Sequence, residues 1–213
     1  MRRRYLAAMG GRSGTTFLVD EGWEGVGIPS GWSSTTGTPN YDYSAVPLSG
    51  SESLYLSIAA AAHRCAVDFT NMDEAWFYFL MRYTNGSAPG GARNVATIAL
   101  NGSTTAVANF QIAATLRFNF GAANTTLVTT VDTTYHVWLH YKKGTGANSV
   151  IDIGLSTTGI RPTSGSGYAE VLNGAATSQV GRIMLGTIVT TTNFDFIYDN
   201  VRVAATQIGD FGT

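Results

Sequence analysis

Thirteen short runs of strand-forming residues, broken by turns rich in glycine, asparagine and proline, constrain this chain more than any other feature. They span 16–20, 53–58, 65–70, 75–83, 95–100, 106–112, 115–120, 126–131, 135–142, 150–156, 168–172, 179–186 and 194–204. Between them stand Asn85-Gly86, Pro89-Gly90-Gly91, Asn101-Gly102, Lys143-Gly144-Thr145-Gly146 and Asn173-Gly174. Asn-Gly is a strong hairpin signal because both central residues of a type I′ turn need positive φ. Strands of this number and spacing predict an all-β antiparallel sandwich of the jelly-roll kind. The one competing helix, Ile58–Arg64, is about two turns long and marginal on its own, so it reads as a connection. No internal repeat of solenoid or propeller period is visible.

Two runs carry further detail. Ala75–Tyr83 has large apolar residues at both parities, which predicts a central strand covered on both faces. Tyr135–Tyr141 alternates: Val137, Leu139 and Tyr141 share one side, His136, Trp138 and His140 the other. The second side is the best candidate for a partly exposed aromatic surface.

Composition narrows the function. Charged residues make up 13% of the chain, about half the usual fraction, and the net charge of −1 argues against the basic surface that holds nucleic acid. No stretch approaches the ~18 apolar residues of a membrane span. The single cysteine, Cys65, has no partner for an internal disulfide and sits in an alternating apolar run, where a buried inert thiol is expected.

Charge is concentrated at one end. Residues 1–12 hold four arginines and no acid, which leaves the rest of the chain at −5 against a total of −1. The opening imitates a signal peptide, but its apolar stretch falls short of the ~7–15 residues required, so residues 1–14 read as a basic arm rather than an export signal. Arg2, Arg3, Arg4 and Arg12 are then candidates for docking against another subunit of an assembly, the alternative being a solvated tail.

The spacing of chemical groups excludes several activities. Same-face residues four apart on a strand are separated by about 13 Å, beyond the ~5–9.5 Å between glycosidase carboxyls. Asp195 with Asp199, and Asp20 with Glu24, fail on that ground, and His136 with His140 fail as a zinc pair. Neither a Gly-x-Ser-x-Gly elbow nor a Walker phosphate loop is present. A calcium site is better placed: first and last strands of a sandwich often pair, bringing Asp20, Glu21 and Glu24 toward Asp195 and Asp199. Solvated carboxylates at strand ends are the alternative.

Several segments carry a family resemblance. Phe17–Gly25, Pro29-Ser30-Gly31-Trp32, Gly37–Tyr43 and Gly50–Leu56, with the ending Phe194–Val203, resemble the opening and last strand of concanavalin A-like lectin/glucanase (laminin G-like) jelly rolls. Tyr135–Tyr141, Lys142-Lys143-Gly144 and Val150–Leu155 resemble that superfamily's mid-domain hairpin. The resemblance implies a jelly roll over residues 15–206, followed by a tail at 207–213. It implies a structural calcium bridged by Glu24 and Asp199. The Glu-x-Asp-x-x-Glu strand of its glucanases and the Arg-x-Glu-x-Arg and Gln-x-His motifs of its alginate lyases are not present, so those activities are not carried over.

Free domains of this kind also decorate phage particles. The expectation is therefore a non-enzymatic structural and recognition module of a virion or extracellular surface, docked through its arm, with no membrane or nucleic-acid partner. A glycan would be held by Trp138, Trp32, Tyr41 and Tyr43. The alternatives are a polysaccharide lyase or glycoside hydrolase with groups from separate strands (Glu74, Glu170, His136 and Tyr141), or a calcium-dependent lectin.

Overall fold

The computed structural model describes residues 15–211 apart from 26, 58–61, 85–88, 146–147, 174–175 and 188–193. Among the described residues fifteen strands are present: β1 (Phe17–Glu21), β2 (Trp32–Thr36), β3 (Asn40–Tyr43), β4 (Ser53–Leu56), β5 (His63–Met72), β6 (Glu74–Thr84), β7 (Arg93–Ala99), β8 (Ala106–Ile112), β9 (Phe118–Phe120), β10 (Ala123–Asn124), β11 (Tyr135–Lys142), β12 (Val150–Ser156), β13 (Tyr168–Leu172), β14 (Val180–Thr187) and β15 (Asp195–Ala204). No helix occurs among the described residues.

The strands form two antiparallel sheets. The first runs β13-β12-β11-β6-β15-β4-β3, with β1 also on β15; the second runs β10-β9-β8-β7-β14-β5-β2. First and last strands do pair, as the sequence suggests: β1 takes the Val201–Ala204 half of β15 and β4 takes the Phe196–Tyr198 half. The change of neighbour falls at an irregularity after Asp199, where Asn200 adopts φ 49°.

Period-two alternation puts the core between the sheets. Phe77, Phe79, Met81 and Tyr83 of β6 and Val137, Leu139 and Tyr141 of β11 point inward with Phe110, Phe118, Phe120 and Ile183. Each such side chain contributes about 1.5–3 kcal/mol on full burial. Cys65 is buried here too, its thiol pushed up by desolvation, as the inert reading requires.

The opposite parity of β6 is also buried, Trp76, Tyr78 and Leu80 joining Trp138 and Ile208 in a second cluster, so β6 is central and covered on both faces.

The structure departs from the sequence reading in three places. β2 and β3 are strands that their Ser-, Thr- and Tyr-rich sequences do not announce. Residues 126–131 form no strand, because their backbone groups divide between neighbours: Thr126 and Leu127 N–H donate to Ser166 O, and Thr129 N–H to Leu116 O. His63 and Arg64, read as the end of a connection, instead begin β5; residues 58–61 lie outside the described residues, as do residues 1–14 with the proposed docking arginines.

Candidate functional site

Each sheet has an outer face, and the two differ. The first sheet's outer face is closed by the end of the chain. Ile208 is buried among Trp76, Tyr78, Leu80 and Trp138. The Phe211 ring lies 3.9 Å from that of Tyr78, with the Arg202 guanidinium 4.6 Å over its other side. Phe211 N–H donates to Gly159 O at 2.9 Å, and Asp210 Oδ1 accepts from Arg161 N–H at 2.7 Å. Gly159 has φ 75°, and a Cβ there would run into the Phe211 carbonyl, so glycine lets the two segments approach.

Beneath that cover lies a polar network. His140 faces a carboxylate with each ring nitrogen, Asp152 at 2.9 Å from Nδ1 and Glu74 at 3.0 Å from Nε2. Asp152 also binds Arg161 Nη2 at 2.5 Å. Trp76 is held between the stacked His140 ring at 3.7 Å and the Arg161 guanidinium at 4.8 Å. The Tyr78 hydroxyl meets His136 Nδ1 at 2.8 Å; burial raises the tyrosine pKa and lowers that of the histidine, so both favour their neutral forms.

The second sheet's outer face holds a recess of ≈ 110 Å³, lined in part by Arg64, Asn94, Thr97, Asn109 and Thr187. Arg64, Thr97 and Asn109 reach it from β5, β7 and β8 at the parity opposite to the core residues, Asn94 reaches it past the bulge between Asn94 and Ala96, and Thr187 stands at the end of β14. Thr97 donates to Asn109 Oδ1 at 2.9 Å, and Gln111 Nε2 to Asn94 Oδ1 at 2.7 Å, so the amides are held in place. Arg182 grips Asp68 through Nε and Nη2, both at 2.7 Å, and binds Ser103 O at 3.0 Å, which folds the β7–β8 turn over one end of the face.

Arg64 stands out. It is 8% exposed, and among the described residues no carboxylate lies within ion-pair distance of it. Its Nε donates to Thr35 Oγ1 at 3.0 Å. Burial, with the nearby Arg182, lowers its pKa. Buried charges are ordinarily paired, so an unpaired guanidinium in a polar recess is suited to an anionic ligand. Gly186 lines the same recess at φ 94°, where a Cβ would strike His63 O.

The residues singled out from sequence are scattered. Trp138 is fully buried under the chain's end, its Nε1 without a hydrogen-bond partner among the described residues, and is no exposed platform. Trp32 is also buried, 5.2 Å from Trp23. Tyr43 stacks on Tyr55 at 4.5 Å, and Tyr41 lines a cleft beside β3. Glu74 and His136 share the first sheet's outer face, whereas Tyr141 points into the core with its hydroxyl on Ser178 O, and Glu170 is exposed on β13. Those four do not form one site.

Glu24 and Asp199 do converge, on the 49–53 loop. Glu24 accepts from Ser51 N–H and Oγ–H, and Asp199 accepts from Ser49 N–H and Ser53 Oγ–H. Burial, with Glu24 nearby as a smaller cause, raises the Asp199 pKa to about 7. The donor set suits a hard cation, which would relieve that unfavourable pair, although among the described residues no third acid, histidine or cysteine joins it. Arg64, Asn94, Thr97 and Asn109 were missed by sequence reasoning. For Arg64, Thr97 and Asn109 the signal was there as polar residues at the outward parity of otherwise apolar strands.

No protein-family model and no curated protein matches the chain. Solved structures do. One is an endo-beta-1,4-glucuronan lyase from the fungus Trichoderma reesei, at TM-score 0.60 and 14% identity, covering 93% of this chain and 100% of that one. Another is the Cellulose induced protein, Cip1, at TM-score 0.62 and 9% identity, covering 90% and 99%. A third is the marine PL-14 alginate lyase from Aplysia kurodai, at TM-score 0.56 and 6% identity, covering 75% and 85%. These matches overturn the expectation of a non-enzymatic virion module: polysaccharide lyases stand among them, and none of the three is a virion protein. What the chain shares with them is its fold, an all-β jelly-roll sandwich.

Proposed function

We propose that the chain is a polysaccharide lyase acting on a polymer that contains uronic acid units. The observation that carries this reading is Arg64, a buried guanidinium with no carboxylate partner among the described residues, at the base of an open polar recess. Lyases of glucuronan and alginate on the same fold support it.

Elimination from a uronate removes the C5 proton, forms the C4–C5 double bond and breaks the C4–O4 bond, so it needs the carboxylate neutralised, which makes that proton acidic, a base to take it and an acid to protonate the leaving oxygen. Arg64 supplies the first, with amide donors of Asn94 and Asn109 beside it. His63, next to Arg64 on β5, alternates to the other side of the strand and does not line the recess, so it is not assigned a part in proton transfer. Its Nδ1 accepts Thr38 N–H at 2.9 Å, which puts the proton of the neutral ring on Nε2.

Polyglucuronate and alginate should yield unsaturated products, followed by their ultraviolet absorbance. Arg64→Ala should lower kcat/KM by about 100-fold or more, in the range seen on removing one electrostatic stabiliser. Turnover that is absent on both polymers, or unchanged in Arg64→Ala, refutes the reading.

A structural calcium between Glu24 and Asp199 belongs to the same proposal. The folded-state pKa of Asp199, about 7 against an ordinary 3.8, makes stability fall as pH rises from about 4 to about 7, because the folded chain keeps a proton that the unfolded chain releases. The Tm difference between wild type and Asp199→Asn should therefore shift against wild type across that window, and calcium at pH 8 should reverse the shift. A difference independent of pH and calcium would remove both claims.

A further inference from the structure

A second cleft, of ≈ 300 Å³, opens beside β2 and β3 and is lined in part by Ile28, Ser34, Thr38, Asn40, Tyr41 and Asp42. β2 and β3 are the edge strands of the two sheets, so the cleft lies at the open side of the sandwich rather than on either outer face. We propose that it binds an uncharged sugar unit of a polysaccharide.

The argument starts from its polar groups. Asp42 Oδ1 accepts Gly27 N–H at 2.6 Å, and Asn40 Oδ1 accepts Asp42 N–H at 3.0 Å. Those bonds orient both side chains, and among the described residues none is made by Asp42 Oδ2 or Asn40 Nδ2. A carboxylate oxygen that only accepts, beside an amide that only donates, matches a hydroxyl pair, each hydroxyl being donor and acceptor at once. Tyr41 alternates to the core side of β3, and the exposed apolar side chain in the lining is Ile28, 56% exposed, of the kind that the C–H face of a sugar ring covers.

Charge selects the ligand class. Among the described residues Asp42 is the one acidic or basic side chain lining the cleft, which therefore disfavours a uronate. The Arg64 recess has the opposite preference. The two sites are joined through β2, since Ser34 lines the cleft while Thr35, the next residue, holds Arg64 Nε. His63 lies between them, bound to Thr38 of the cleft and paired with Thr187 of the recess. The cleft does not depend on the lyase reading, because it binds without reacting.

The test is calorimetric or NMR titration of the full chain with cellohexaose, mannohexaose and laminarihexaose. At least one should bind. Asp42→Asn keeps the oxygen that accepts Gly27 N–H, and Asn40→Asp keeps the one that accepts Asp42 N–H. Each should weaken binding about tenfold or more while leaving Tm nearly unchanged, and Arg64→Ala should leave it intact. Binding of none of the three sugars, or binding unaffected by both cleft substitutions, overturns the proposal. Binding abolished by Arg64→Ala alone would place the neutral sugar in the recess and overturn it as well. Loss of uronate turnover with retained hexasaccharide binding would refute the lyase reading and leave the cleft standing.

Discussion

Asp152→Ala should lower stability by about 3–5 kcal/mol, the usual effect of removing one partner from a buried ion pair. The Asp152 side chain is 4% exposed, and its two oxygens hold two other buried groups, His140 and Arg161. Deleting the carboxylate leaves a guanidinium and an imidazole nitrogen out of water with no acceptor. For a chain of this size each kcal/mol moves Tm by about 2–4 °C, so a fall of roughly 6–20 °C is expected.

Asp152→Asn tests the cause, since it keeps the shape and an acceptor but carries no charge; its loss should be smaller. Replacing all three groups by apolar residues of similar volume should recover most of the stability, because a buried ionic cluster is seldom worth more than a well-packed apolar one. An Asp152→Ala variant within about 1 kcal/mol of wild type would mean that the carboxylate is solvated.

The alternating and doubly apolar runs carried the architecture because burial has the same period as the strand. Phe77 and Phe79 against Trp76 and Tyr78 could be assigned to opposite faces from parity alone. β2 and β3 were not legible, since their Ser, Thr, Asn and Asp residues resemble loop; they are edge strands whose exposed side needs no apolar residues. Which outer face is open was hidden for a different reason. Trp138 and His140 alternate as an exposed surface would, but the residues that cover them come from far away in the chain, and no local pattern reveals Ile208 as a lid.

The site was legible only in part. Paired sandwich ends brought five acids together and the family resemblance singled out Glu24 and Asp199 among them; those two do meet at one loop. Arg64 was passed over because it follows a run of alanines that reads as a helix, and its isolation from any carboxylate is a three-dimensional fact. Its neighbours Asn94, Thr97 and Asn109 come from two other strands, and the bulge between Asn94 and Ala96 resets the parity that would align them.

Removing residues 208–213 should be nearly as damaging as Asp152→Ala, and it separates the two outer faces. Ile208 is 1% exposed, and Phe211 lies against Tyr78. Ile208 contributes about 1.5–3 kcal/mol by full burial, the partly buried Phe211 contributes less, and the Phe211–Tyr78 contact adds about 0.5–1.5 kcal/mol. The shortened chain should therefore melt roughly 10 °C lower, with Trp138 fluorescence shifted to the red as water reaches its ring. Ile208→Ala alone should give a smaller change in the same direction. Arg64 and the recess lie on the other sheet, so at temperatures where the truncated chain is folded its uronate turnover should match that of the full chain. A melting temperature unchanged by truncation would show that the chain's end is not seated on the first sheet. Turnover lost by a truncated chain that remains folded would move the active centre to the face beneath that end, where Tyr78 and His136 already meet at 2.8 Å.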